Sequence, residues 1–82
     1  MTTGNDTAVR DDIAALIAEV FAYRGPLTLA MVRDDIPRWD SLRHVGLVVA
    51  VENEFGVALS MDEMHEINSV GDLQRVIERH GK

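Results

Sequence analysis

Trp39-Asp40-Ser41-Leu42 stands at the head of the apolar run from Val45 to Val51. It places a hydroxyl nucleophile at the expected start of a helix, just after a carboxylate that can cap it. The first amides of a helix have no intrahelical acceptor and the helix dipole is positive there, so an anion is stabilised at that end. A serine so placed suits attachment of a phosphodiester, provided a modifying enzyme can reach its hydroxyl. A second chemistry would use His44, three residues on and on the same helix face, as a base for Ser41. No third orienting group or oxyanion donor can be named for that pair, and His44 is expected to be partly exposed, packing against Trp39. The plainest reading leaves Ser41 as an unmodified cap.

Other chemistries are poorly supplied. His44, His65 and His80 lack metal-ligand spacing, so no metal site is expected. Arg33-Asp34-Asp35 reads as a solvated loop whose acids offer at most weak cation binding. The chain has no cysteine, so any thiol chemistry has to come from a cofactor. Fourteen acidic against eight basic residues give a net charge of −6. That disfavours nucleic acid and anionic membrane surfaces and fits basic protein partners. The same charge also keeps a small domain soluble. Eighty-two residues, 46% of them apolar, support one folded domain with no room for a large substrate cleft. Met1 to Thr7 lacks the apolar core of a secretory signal, and no apolar stretch reaches membrane-spanning length. A cytoplasmic protein without membrane insertion is expected.

The elements that must position Ser41 follow from periodicity and caps. Residues 1–6 are polar and expected to be a flexible N-terminus, with the folded domain over 7–82. Val9, Ile13, Leu16, Ile17 and Val20 form one face of a first helix starting near Asp6 or Thr7 and stopped by Gly25-Pro26. Residues 24–39 read as a long loop, pinned by Leu27, Leu29 and Ile36. A loop of that length needs a role or a short turn of its own. The second helix runs from Asp40 or Ser41 to Gly56, with Trp39 and His44 at the two staple positions. Leu42, Val45, Val48, Val49, Glu52 and Phe55 lie on adjoining turns, and Leu47 and Val51 widen the apolar surface. Gly46 weakens this helix by about 1 kcal/mol relative to alanine, which suggests close approach by the loop or a partner. Ser60-Met61-Asp62-Glu63 is a capping box that opens a short third helix. Ser69-Val70-Gly71-Asp72 opens a fourth, with Val70, Leu73, Val76 and Ile77 as its apolar face and Gly81 at its end. Met31, Met61 and Met64 read as core filler. The expected fold is all-α: a four-helix bundle with a short third helix and a long loop between helices one and two.

The arrangement as a whole is more specific than the tripeptide. Asp40-Ser41-Leu42 opens a central helix that continues Leu47-Val48-Val49-Ala50-Val51-Glu52 and closes Glu54-Phe55-Gly56-Val57. A Ser-Val-Gly-Asp-Leu segment, Ser69 to Leu73, opens the last helix. From Ala8 to Arg79 this resembles the acyl carrier protein family.

The resemblance implies a carrier and not an enzyme. Ser41, flanked by Asp40 and Leu42, would bear 4′-phosphopantetheine taken from coenzyme A by a phosphopantetheinyl transferase. The chain would then be a phosphoprotein whose arm holds an acyl thioester. A loading ligase or acyltransferase and a downstream synthase or transferase would be its other partners, met by a monomer. Trp39, Arg43, Gly46, Val49, Glu52 and Asn53 would form the partner surface. Members serving fatty-acid synthesis usually carry glycine and a small or acidic residue before the aspartate, where this chain has Arg38 and Trp39. They also present acids on the second helix where it has Arg43, Gly46 and Asn53. These departures point to a discrete carrier in a specialised pathway of lipid or polyketide biosynthesis, and Trp39 looks like the residue found there in D-alanyl carrier proteins and in stand-alone carriers of polyketide-like or glycan-associated clusters. Met64 replaces a residue that is small in long-chain carriers, which would shorten an acyl pocket between helices. The alternatives are an aminoacyl or small hydroxyacyl carrier, and a non-covalent interaction module that keeps the fold without the arm.

Overall fold

The computed structural model describes residues 8–82. Among them are four helices: α1 (Asp11–Phe21), α2 (Ser41–Phe55), α3 (Met61–Glu66) and α4 (Val70–Arg79), with a 3-10 turn at Arg33–Asp35 inside the long loop. The expected all-α bundle with a short third helix is what forms. No helix among the described residues is long and apolar enough to cross a membrane.

α1 starts later than expected. Asp6, Thr7 and the segment 1–6 lie outside the described residues, but Ala8 to Arg10 are not helical. Val9 packs on the core from that non-helical lead-in. The physical start is the acidic pair Asp11 and Asp12, which suits the positive end of the dipole. Arg10 occupies the cap position without a side-chain cap, and its backbone N–H donates to Gln74 Oε1 at 3.0 Å. The helix also ends before Gly25-Pro26. Ala22 takes the left-handed conformation (φ 52°), and the Tyr23 amide donates back to the Ala18 carbonyl at 3.1 Å, a Schellman closure made without glycine. α2 ends the same way, with Gly56 at φ 67° and the Val57 amide donating to the Glu52 carbonyl.

Ile13, Leu16, Ile17 and Phe21 of α1 meet Leu47 and Val51 of α2 and Val70, Leu73, Val76 and Ile77 of α4 in one core, closed by Ile36, Trp39 and Ile67. The long loop is fastened to the start of α4. Val70 and Gly71 donate their otherwise unpaired amides to the carbonyls of Met31 and Leu29, each at 2.9 Å, beside a bridge between Val32 and Ser69. A Cβ on Gly71 would lie 2.9 Å from the Leu29 carbonyl oxygen, so glycine is what lets the loop approach. Gly46, by contrast, has open space around it, so the loop does not account for it. Met61 is also not core filler: it is 68% exposed, because the capping box turns it outward at the first position of α3.

Candidate functional site

Ile36, Pro37, Arg38 and Trp39 make a tight turn closed by the Trp39 amide donating to the Ile36 carbonyl at 3.2 Å. Proline at its second position and a positive φ at its third, 77° at Arg38, mark a type II turn. That third position favours glycine, and an ordinary residue there costs about 1–2 kcal/mol. The turn persists because both of its ends, Ile36 and Trp39, are buried. It delivers Asp40 to the head of α2, where Asp40 Oδ1 accepts from the Arg43 amide at 2.8 Å. Ser41 follows as the first helical residue and is exposed. The Ser41 and Leu42 amides sit in the first turn, where no intrahelical acceptor reaches them. The site therefore fits a serine-linked phosphodiester: an accessible hydroxyl, free amides and a positive helix end.

Trp39 is not on the partner surface. It is 6% exposed and stacks on Phe21 of α1, ring centroids 5.1 Å apart. Its Nε1–H donates to His44 Nδ1 at 2.9 Å, and His44 Nε2 lies 2.9 Å from the Met64 carbonyl oxygen of α3. An indole N–H can only donate and a carbonyl can only accept, so His44 is neutral with its proton on Nε2. His44 is itself buried, 8% exposed, where partial exposure was expected. The staple positions do meet, but through a hydrogen bond and ring stacking. Breaking one link of such a buried pair leaves a polar atom unsatisfied, at a cost of about 1–3 kcal/mol. The relay joins α1, the loop, α2 and α3 behind Ser41. It also removes the serine–histidine reading, since both imidazole nitrogens are already engaged.

In front of the relay lies a cleft of about 290 Å³ lined by Arg33, Ser41, His44, Val45, Met64, His65 and Asn68. Arg33, His65 and Asn68 carried no sequence signal for this role, because they come from the 3-10 turn, α3 and the link to α4. Asp35 of the supposed solvated loop accepts from the Val32 amide at 3.0 Å and shapes that turn. A larger hollow of about 540 Å³, between Leu29 and Arg75, shares no residue with this cleft and does not reach Ser41. Among the described residues no cluster of three histidine or carboxylate groups is placed to hold a metal ion.

The outward face of α2 is largely apolar near Ser41, with Arg43 as its one exposed cation and Glu54 as an exposed acid near its far end. Leu42 is 80% exposed, Val45 51% and Val49 48%, while Val48 turns inward beside Leu47 and Val51. Arg43, Gly46 and Asn53 are exposed on the same helix. Glu52 is half-buried, and its carboxylate accepts from the Leu59 amide at 2.9 Å, so it braces the next loop.

Residues 39–77, Ser41 among them, match a sequence family described as "Phosphopantetheine attachment site". The fold is similar to a Mycobacterium tuberculosis chain described as an acyl carrier protein, with a TM-score of 0.79 and 28% identity over 88% of this chain and 97% of that one. It is also similar to the holo acyl carrier protein of Geobacter metallireducens, with a TM-score of 0.77 and 28% identity over 84% of this chain and 80% of that one. A capped and exposed attachment motif, a four-helix bundle and these likenesses agree: the chain carries a phosphopantetheine attachment domain in an acyl-carrier-protein fold, a carrier rather than a catalyst, with covalently attached 4′-phosphopantetheine as its prosthetic group.

Proposed function

We propose that Ser41 bears the arm and that the protein, a cytoplasmic monomer, shuttles an acyl thioester between enzymes of a specialised biosynthetic pathway. The observation that carries this reading is the exposed Ser41 hydroxyl on the first turn of α2, capped by Asp40 and open to a cleft. In the attachment step Ser41 Oγ attacks the pantetheine-side phosphate of coenzyme A. The phosphoanhydride bond breaks, adenosine 3′,5′-bisphosphate leaves, and the hydroxyl proton passes to a base on the transferase. The arm supplies the thiol that holds the acyl group, and tethering raises the effective concentration of that group at a docked partner. Asp40 holds the turn that presents Ser41, and the first amides of α2 lie beside the phosphate charge.

The transferase, a loading ligase or acyltransferase and a downstream synthase or transferase would dock on Leu42, Arg43, Val45, Gly46, Val49 and Asn53. This face supports the specialised pathway, because its exposed apolar residues and Arg43 ask for a partner patch that is apolar and acidic rather than basic. Intact-protein mass spectrometry after incubation with coenzyme A and a broad-specificity transferase tests the assignment. The expected result is a gain of one phosphopantetheinyl group, abolished in Ser41→Ala. A gain that survives Ser41→Ala would move the attachment site elsewhere.

A further inference from the structure

We propose that the Trp39–His44–Met64 relay is a plug that closes the bundle interior to alkyl chains, so that an acyl cargo stays outside the core and open to attack. This rests on the reading of Ser41 as the attachment residue. His44 lies one turn along α2 from Ser41, at the floor of the cleft, and is the last polar group before the apolar interior. The buried residues that follow it on α2, Leu47 and Val51, are fully enclosed, as is Ile67 after α3. A chain that entered that interior from the cleft past His44 would have to swing the imidazole aside. The imidazole would then release the indole N–H on one side and the Met64 carbonyl on the other, both in a buried setting. Alkyl contacts inside give nothing back to those polar atoms.

The space left in front of the plug is small and of mixed character, with Val45 and Met64 beside the polar Arg33, His65 and Asn68. At about 290 Å³ the cleft is at the small end for a ligand site. Arg33, His65 and Asn68 on its walls offer donors to the carbonyl and amide oxygens of the arm and its cargo, while Val45 and Met64 give only a small apolar patch. Met64 narrows the cleft with its side chain. Its backbone carbonyl is the anchor of the plug, so the restriction does not reside in Met64 side-chain size alone. His44 thus acts as a positioning residue that holds the wall between the cleft and the core.

The test transfers acetyl-, 3-hydroxybutyryl- and octanoyl-phosphopantetheine from the matching coenzyme A thioesters onto the protein, with the mass of each product checked. Thioester loss to hydroxylamine and backbone amide shifts are then followed. The expected result for the native chain is octanoyl cleavage as fast as acetyl cleavage, with shifts confined to Arg33, Val45, His65 and Asn68. In the double variant Trp39→Phe/His44→Val, which removes both polar partners together, octanoyl cleavage slows about tenfold and shifts spread to Leu47, Val51 and Ile67. A protected octanoyl thioester in the native chain, with shifts at Leu47 and Val51, would overturn the plug while leaving the carrier reading intact. An octanoyl group that stays unprotected in the double variant would also overturn it. Failure of every thioester to add mass would instead overturn Ser41 as the attachment residue, and the plug with it.

Discussion

α3 and α4 are neighbours in sequence and are held to the bundle by different forces. α4 buries Val70, Leu73, Val76 and Ile77 and is part of the core. α3 has six residues and buries none of them. Polar contacts fix it instead. Ser60 and Glu63 form a reciprocal capping box, Glu63 also reaches His80 at 2.9 Å, Glu66 meets Arg79 at 2.6 Å, and the Met64 carbonyl faces His44. An apolar interface fails as a unit, whereas a set of hydrogen bonds and ion pairs can be released one at a time. The wall of the cleft beside Ser41 is therefore built from the element of the bundle with no buried side chain.

That contrast can be broken from either side. Ile77→Ala empties a fully buried position of α4 and is expected to cost about 2–5 kcal/mol, with all four helices melting together in chemical denaturation. Loss of α3 alone would show that α4 is not the common anchor. Trp39→Phe keeps the stack on Phe21 but leaves His44 Nδ1 without its donor, at about 1–3 kcal/mol. Its signature is faster amide exchange in α3 and the head of α2 than in α4; uniform acceleration would mean that the relay has no local role. Gly71→Ala forces a methyl toward the Leu29 carbonyl and is expected to cost about 1–3 kcal/mol, read as a lower Tm with exchange rising first at the Val70 amide and its neighbour at position 71, which donate to Met31 and Leu29. Ser60→Ala removes the α3 cap for about 1 kcal/mol, seen as lost helical carbon shifts over Met61–Glu66 with α4 unchanged.

Acid gives the smallest and most selective effect. The Ser60 amide, with help from His80, holds the Glu63 carboxyl below its ordinary 4.5. Arg79 does the same for Glu66. Burial pushes Asp72 up, but Arg75 and the amide of Asn68 outweigh it and leave the group below its ordinary value. A carboxyl lowered by folding binds fewer protons folded than unfolded, so its stabilisation is present above the ordinary value and lost as pH falls through the lowered one. α3 should loosen below about pH 4.5 while the core amides of α4 stay protected. Equal loss in both helices would erase the distinction.

What the sequence displays plainly is local chemistry. The caps at Asp40, Ser60 and Ser69 and the glycine stops at Gly56 and Gly81 are written in single residues, and α2, α3 and α4 follow from them; α1 is read from its apolar face alone. Two things were less visible. α2 carries apolar residues nearly all round, so periodicity did not say that Val48 turns inward while Val45 and Val49 turn out; the positions of α1 and α4 decide that. The short reach from Trp39 to His44 suggested a staple, but that it is a buried polar relay depends on the Met64 carbonyl, twenty residues further on. The end of α1 was missed for a related reason. Ala22 adopts a conformation that its residue type does not advertise, while the Phe21 side chain it follows is locked into the core.

The chain has a single tryptophan, and it stacks on Phe21 and donates to the imidazole one turn from Ser41. Its light emission therefore comes from one place, the back wall of the attachment site. Attachment of the arm or arrival of cargo in the cleft would each change the field around that indole. The protein thus carries its own optical reporter, and loading can be followed in real time, without a label, on the natural chain.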